Sequence, residues 1–483
     1  MQRKDIAKTV FRNSIYNIGA QVVNNIVYFF IVVIIARSLS ETDFGKYATA
    51  KAFTALFVAF CSFGMDFLII RDISRDARNA PQYLKNSLVL KAVMSLAVFI
   101  LILTSTSFMN YSRDTTVAIY IFTCVNILGA LCTTFDSIFK ALQKMFFTSL
   151  NVIISGCILL FLVVICSLRH GSIIAYASLS FVSITFSIIF MALLVRYYLK
   201  IKPGAFSFKL CKYLFIESIP FGLANVFVLV LLQADTVMLS KMTSETVVGN
   251  YNVAYKIIFA LMFFHTAYMI SIYPVISKSF KDSKENLVIS YEKTVKYFIM
   301  YGLFVAIFVT FRAHDIMYLL YGNKYKLGVT ALQCLIWSYP FILLSTITAV
   351  TLNSINKTRV NTVFAALGAI LNISLNLILI PKYSLIGAGA ATIVTEIFIF
   401  VGAYSILSKH LIKINFLKIS YKVIIASIAL FLLLFAISSV NLFMAFFISL
   451  FMYLLVLIVF KYFTKGEYAI VKSFFIKDIG QTL

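Results

Sequence analysis

An all-α integral membrane protein of about fourteen transmembrane helices is the fold class this sequence predicts, built as two parallel-related six-helix lobes with a terminal helix pair. Three observations predict it: a series of long apolar runs, a one-sided distribution of Lys and Arg between them, and an internal repeat.

The apolar runs come first. Of 483 residues, 61% are hydrophobic and 12% charged, against about 45–50% and about 25% in ordinary soluble domains. So few charges cannot make a water-soluble exterior, and the excess apolar surface must face lipid. Runs near 14–36, 44–70, 87–108, 116–139, 147–168, 172–195, 213–240, 249–276, 294–312, 328–352, 360–380, 384–407, 420–440 and 442–462 each approach the roughly 20 residues that span a bilayer. Met1-Gln2-Arg3-Lys4 has the look of a signal-peptide start. The run behind it is too long, carries Asn and Gln and has no small-x-small cleavage site, so it reads as a retained first helix. Only Ser438-Ser439-Val440-Asn441 separates the last two runs, so thirteen spans also fit.

Charge orients the spans. The net charge is +24, from 42 Lys+Arg against 18 Asp+Glu. A basic balance can mean nucleic acid, but these residues sit in short segments between apolar runs, so no nucleic-acid partner is expected. Thirty-one fall on the side of the N-terminus and ten on the other, with Lys256 inside a span. Positive charge marks the cytoplasmic side, so both termini are expected in the cytoplasm. Every loop is too short for a soluble catalytic domain. No phosphate loop, His-Glu-x-x-His or Gly-x-Ser-x-Gly motif occurs. The seven cysteines lack metal spacing, and His265 has no second ligand near it in sequence. No catalytic residues, metal site or cofactor are expected, and the chain does not read as an enzyme.

The repeat divides the chain. Ser40-Glu41-Thr42-Asp43-Phe44-Gly45-Lys46-Tyr47-Ala48-Thr49-Ala50 returns as Ser244-Glu245-Thr246-Val247-Val248-Gly249-Asn250-Tyr251-Asn252-Val253-Ala254, identical at six of eleven positions. Ala141-Leu142-Gln143-Lys144 resembles Ser354-Ile355-Asn356-Lys357, and Ser172-Ile173-Ile174-Ala175 resembles Ser384-Leu385-Ile386-Gly387. The offsets are nearly constant, and each match falls at an equivalent point between spans. Six helices per copy is an even number, so both copies share one orientation. The expected units are a lobe over 1–200, a second over 201–415, and a terminal helix pair with a basic tail over 416–483, with a site between the lobes.

Polar residues inside the spans are the site candidates. Span 1 carries Asn13, Asn17, Gln21, Asn24, Asn25 and Tyr28 at steps of three and four, mostly on one helical face. The stripe lines a wet cavity or bonds neighbouring helices. The ionisable residues within spans are Lys51, Asp66, Asp136, Asp235, Lys256 and Glu396, and such groups face a pathway or a partner. Lys51 and Lys256, at nearly matching depth in the two copies, suit an anionic headgroup; ion pairs with Asp66 or Asp235 are the alternative. Arg37, at the outer end of span 1, is a further cavity candidate. Asp136 and Lys140, four apart, suit an intrahelical pair. Asp66, Asp136, Asp235 and Glu396 are the candidates for ion coupling.

Four stretches resemble the polysaccharide flippases (Wzx type) of the multidrug/oligosaccharidyl-lipid/polysaccharide exporter superfamily: Ala36 to Tyr47, Asp235 through Val248 to Ala254, Leu320 to Tyr325, and Asn372-Ile373-Ser374-Leu375-Asn376 through Ile380-Pro381-Lys382-Tyr383 to Gly387-Ala388-Gly389-Ala390-Ala391-Thr392 and Glu396. Together they cover essentially the whole chain in order. Leu39-Ser40-Glu41 departs from the Leu-Gly-Pro common in that family. The resemblance implies a V-shaped cleft in a bacterial plasma membrane. It implies movement of an undecaprenyl-pyrophosphate-linked oligosaccharide to the outer leaflet, driven by a proton or sodium gradient. A polysaccharide polymerase and a chain-length regulator are the implied partners. A cation-coupled multidrug exporter shares the architecture, but should show a compact acidic cluster in one lobe. A membrane scaffold gains nothing from buried lysines.

Overall fold

A computed structural model describes residues 3–410, 413–464 and 466–467. All regular structure among them is helical: α1 (Arg3–Ser38), α2 (Glu41–Ser62), α3 (Met65–Arg75), α4 (Ala80–Met109), α5 (Arg113–Ala141), α6 (Met145–Leu168), α7 (Ile173–Leu193), α8 (Phe208–Met242), α9 (Glu245–Asp282), α10 (Lys284–Tyr321), α11 (Lys326–Leu335), α12 (Tyr339–Ser354), α13 (Thr358–His410), α14 (Phe416–Ala436) and α15 (Leu442–Val459).

Twelve helical stretches are long and apolar enough to cross a bilayer. One of them, Thr358–Lys409, has 52 residues, about 78 Å at the helical rise and far more than the roughly 30 Å of a hydrocarbon core. Its backbone breaks at Ser384 (φ 52°, ψ −130°), so α13 crosses twice. The 38-residue α9 adds another crossing. The α2–α3 and α11–α12 pairs are each one bent crossing. Fourteen crossings result among the described residues, and α14 and α15 are separate spans. Lys472 and Lys477 of the expected basic tail lie outside the described residues.

Local chemistry sets the helix starts. Ser40, Ser112, Ser172 and Ser244 each turn a side-chain oxygen to the backbone N–H three residues on, which satisfies a donor that hydrocarbon cannot. The repeat is also visible in backbone geometry. Gln143 (φ 56°) and Asn356 (φ 61°) are both left-handed. The next residues make matching closures, Lys144 N–H to Phe139 O at 2.9 Å and Lys357 N–H to Leu352 O at 2.8 Å. Ser172 and Ser384 follow as the starts of the next crossings.

Helix α1 packs on α6, and α2 on α5; α8 and α12 pack on α13, and α14 on α10. Across the halves, α2 touches both α8 and α9. The α2–α3 bend at Phe63 (φ 40°) and Gly64 (φ 79°) meets α8 just where Pro220 interrupts it, and Phe67 stacks on Phe221 at 5.6 Å. Large apolar side chains such as Phe161, Leu168, Phe431 and Phe447 point outward, where hydrocarbon covers them.

Candidate functional site

The even number of crossings puts the start of α1 and the end of α15 on one face. At the opposite face the two repeat segments meet each other. A Cβ added to Gly45 would lie 1.8 Å from Glu245 O, and one on Gly249 2.2 Å from Glu41 O, so only glycine permits this crossing of α2 and α9. Thr42 Oγ1 and Thr246 Oγ1, equivalent residues of the two copies, share a hydrogen bond at 2.9 Å. That self-pairing puts a pseudo-twofold axis between them. Glu41 accepts from Asn250 Nδ2 at 2.6 Å and from the Tyr325 N–H at 3.2 Å. Glu245 accepts from Thr49 Oγ1 at 3.1 Å. Arg37 Nε and Nη2 donate to Leu320 O and Leu319 O, both at 2.5 Å. Lys324 Nζ closes the ring on Arg37 O at 2.7 Å. Arg37 is therefore part of a clasp at the far face, where it also lines a cavity of about 800 Å³ with Arg312, Asp315 and Tyr318.

Inward of this closure lies the α1 stripe. Asn17 and Gln21 are exposed. Asn25, Tyr28, Phe29 and Val32 of α1 line a cavity of about 250 Å³ with Lys256 and Phe259 of α9. Lys51 donates to Tyr28 Oη, with its ammonium 4.5 Å from the ring centroid. Lys256 makes no hydrogen bond or ion pair among the described residues, and lies within Coulombic reach of both Tyr28 and Lys51. Asn24 turns the other way, with Oδ1 beside Gly156 of α6. Asn13 is also off the cavity, donating to Gln143 O at 2.8 Å. None of Asn17, Gln21, Asn24 and Asn25 hydrogen-bonds a protein group among the described residues. Amides without partners are costly in a dry interior, so Asn17, Gln21 and Asn25 need water or a ligand.

The acids sit elsewhere. Asp235 is buried between α8, α9 and α13, where it accepts from Asn376 Nδ2 at 2.6 Å, Thr392 Oγ1 at 2.6 Å and Tyr251 Oη at 2.7 Å. Glu396 accepts from Ser345 Oγ at 3.1 Å. Asp66 pairs with Lys91 at 2.6 Å. Neither acid pairs with Lys51 or Lys256. The Asp136–Lys140 pair expected from spacing does not form within 4 Å among the described residues, and Asp136 Oδ1 is buried without a hydrogen-bond partner. His265 is buried, packed against Phe298 at 5.6 Å.

Two groups of residues escaped sequence reasoning. Lys91 was assigned to the basic terminal-side segments, yet it is fully buried; its place inside the run starting near 87 was the available signal. Asn376 and Thr392 lay within a motif but carried no assigned role. The i,i+4 spacing of Asn372 and Asn376 was the signal there, since it puts both amides on one helix face.

The chain resembles known proteins along most of its length. The family model described as polysaccharide biosynthesis protein matches residues 10–280, and the MatE model matches 220–378. An uncharacterized membrane protein of Methanocaldococcus jannaschii is 25% identical, over 75% of this chain and 76% of that protein. The capsular polysaccharide biosynthesis protein CapF of Staphylococcus aureus is 22% identical, over 81% and 98%. Among solved structures, the lipid II flippase MurJ in an inward closed conformation superposes with a TM-score of 0.76 at 17% identity, covering 92% of this chain and 98% of that one. A multidrug resistance MATE family transporter superposes with TM-score 0.68 in its inward-facing conformation (14% identity, 80% and 95% covered) and 0.58 in its outward-facing one (14%, 83% and 96%). With more than half of its length matched by the family model, the chain belongs to the polysaccharide biosynthesis protein family, as the motif resemblance to polysaccharide flippases of the multidrug/oligosaccharidyl-lipid/polysaccharide exporter superfamily implied.

Proposed function

We propose that this protein carries an undecaprenyl-pyrophosphate-linked oligosaccharide from the cytoplasmic to the outer leaflet of a bacterial plasma membrane. A lobe over 1–200 rocks against a lobe over 201–415, the helices of 416–483 are appended, and both termini are cytoplasmic. The observation that carries this reading is a cavity lined by Asn25, Tyr28 and Lys256, with Lys51 bonded to Tyr28; Asn17 and Gln21, exposed on α1, continue the stripe of amides without protein partners. Sugar hydroxyls give the amides their missing partners, the pyrophosphate meets the cations, and the lipid tail stays in hydrocarbon. Asp235 and Glu396 in one lobe, and Asp66 and Asp136 in the other, are the groups through which a proton or sodium gradient drives the cycle. A polymerase and a chain-length regulator would receive the product.

Deleting the gene should trap lipid-linked oligosaccharide inside the cell. Lys51→Glu with Lys256→Glu places two like charges against the pyrophosphate, and such juxtaposition costs several kcal/mol. Surface polysaccharide should fall about ten-fold or more while the inserted protein stays at wild-type level. Undiminished polysaccharide in that variant overturns the cationic cleft. The MatE match over 220–378 favours a second reading, a cation-coupled multidrug exporter. A broad rise in drug resistance on overexpression, with lipid-linked oligosaccharide export unchanged on deletion, would select it.

A further inference from the structure

The first half contains a charged network apart from the cavity at Tyr28 and Lys256. Lys91 of α4 is fully buried. Its three N–H donors are all taken: by Asp66 Oδ1 at 2.6 Å, Thr133 Oγ1 at 2.8 Å and Ala130 O at 2.9 Å. Asp66 also accepts from Ser137 Oγ at 3.3 Å, and its side chain is 27% exposed. One helical step from Thr133, Asp136 holds a buried Oδ1 with no hydrogen-bond partner. The titratable groups that act on Asp136 are Asp66 of α3, Lys91 of α4, and Cys132 and Lys140 of α5 itself. From α6 and α7 come the neutral Asn151 and Ser187, already bonded to each other at 2.9 Å, with Cys132 Sγ 3.7 Å from Ser187 Oγ.

The network thus holds two carboxyl groups and one buried cation, whose three donors go to Asp66, Thr133 and Ala130 and none to Asp136. A second ionised carboxylate with an unpartnered oxygen is strongly disfavoured inside hydrocarbon, and two neighbouring acids resist ionising together. A protonated Asp136 removes both problems. We infer that Asp136 is a proton-binding site, loaded in this structure, and that Lys91 turns from Asp66 towards Asp136 when the proton leaves. On unloading, the Asp136 O–H bond breaks and the proton passes to water. Lys91 then gives up one hydrogen bond to Asp66 and donates to the new carboxylate. Asp66 is the exposed member of the network, so loading on Asp136 is felt at that exposed carboxylate through Lys91. This deepens the gradient-driven reading above and names the proton as the ion used by the first half.

Infrared difference spectroscopy across pH on the full-length protein in lipid vesicles tests it without any transport assay. The wild type should keep a protonated-carboxyl band at a pH where ordinary carboxylates are ionised, and Asp136→Asn should lose it. Asp66→Asn frees a Lys91 donor and should move the titration of that band down by about one pH unit or more, as an added cationic partner does. Replacing potassium by sodium should not move it. A band retained in Asp136→Asn, unmoved in Asp66→Asn, or displaced by sodium overturns the proposal. Should Asp136→Asn fail to fold, the Asp66→Asn shift decides alone. A normal titration in a protein that moves no oligosaccharide would instead sink the flippase reading and leave the proton site standing.

Discussion

The two halves start from one repeat and bury their acids in opposite ways. Tyr47 and Tyr251 are equivalent positions. Tyr47 packs edge-on against Phe122 at 5.3 Å, while Tyr251 donates to Asp235 at 2.7 Å. The position equivalent to Asp235 in the first half is Ile31, a core residue. The first half neutralises Asp66 with a buried cation from a neighbouring helix. The second surrounds Asp235 with neutral donors from two helices. What the halves share is backbone geometry and the far-face closure, both of which the pseudo-twofold crossing demands. What they do not share is interior charge, which the crossing leaves free to diverge. An ion pair ties two helices together and cancels its own field. A carboxyl held by hydroxyls and an amide has no such cation beside it.

The sharpest way to break this contrast is Lys91→Met. It leaves Asp66 and Asp136 without their cation, and stranding one partner of a buried pair costs about 3–5 kcal/mol. Unfolding of the purified full-length protein should show that loss, and adding Asp66→Asn should restore most of it. A Lys91→Met protein as stable as wild type would mean that the first half does not depend on its ion pair. Thr392→Ala removes one of the neutral donors to Asp235. Hydrogen bonds between membrane helices average about 0.6 kcal/mol and reach about 1.7, so the same measurement should give a clearly smaller loss. A loss as large as that of Lys91→Met would erase the distinction between the two halves.

The fold was readable because bilayers impose long apolar runs and because an even repeat has one geometric consequence. The Ser40 and Ser244 segments, aligned in sequence, meet across a shared hydrogen bond at Thr42 and Thr246. Lys51, Lys256, Asn25 and Tyr28 gather as their depths suggested. Asn24 and Arg37 have surroundings that the sequence does not announce, for different reasons. Asn24 falls at the edge of the stripe, where a small rotation of α1 decides between cavity and α6. Arg37 is taken by carbonyls at the end of α10, nearly three hundred residues away, and no local pattern announces that. Lys91 was invisible as a partner because ion pairs between neighbouring helices leave no spacing signal within one helix.

The same chemistry at the membrane rim gives a further probe. Lys296 of α10 pairs with Glu467, past the end of α15, at 2.8 Å, and Glu467 also accepts from Tyr297 Oη at 2.8 Å and the Thr464 N–H at 2.6 Å. Burial raises the Glu467 carboxyl, but the hydrogen bond from Lys296, then those from Thr464 and Tyr297, outweigh it and hold it at about 2, below the roughly 4.3 of a free glutamate. A value depressed on folding means that the contact stabilises fully above the unfolded value, and that this contribution fades as pH falls through about 4.3 towards about 2. Glu467→Gln keeps the shape and removes the charge. It should cost about 1–3 kcal/mol at neutral pH, the upper figure being what a fall from about 4.3 to about 2 corresponds to, and less than Lys91→Met. The gap between wild type and variant should then close as pH falls through that window, since every other carboxylate titrates alike in both proteins. A gap that survived at the acid end would assign the tail contact to packing rather than charge.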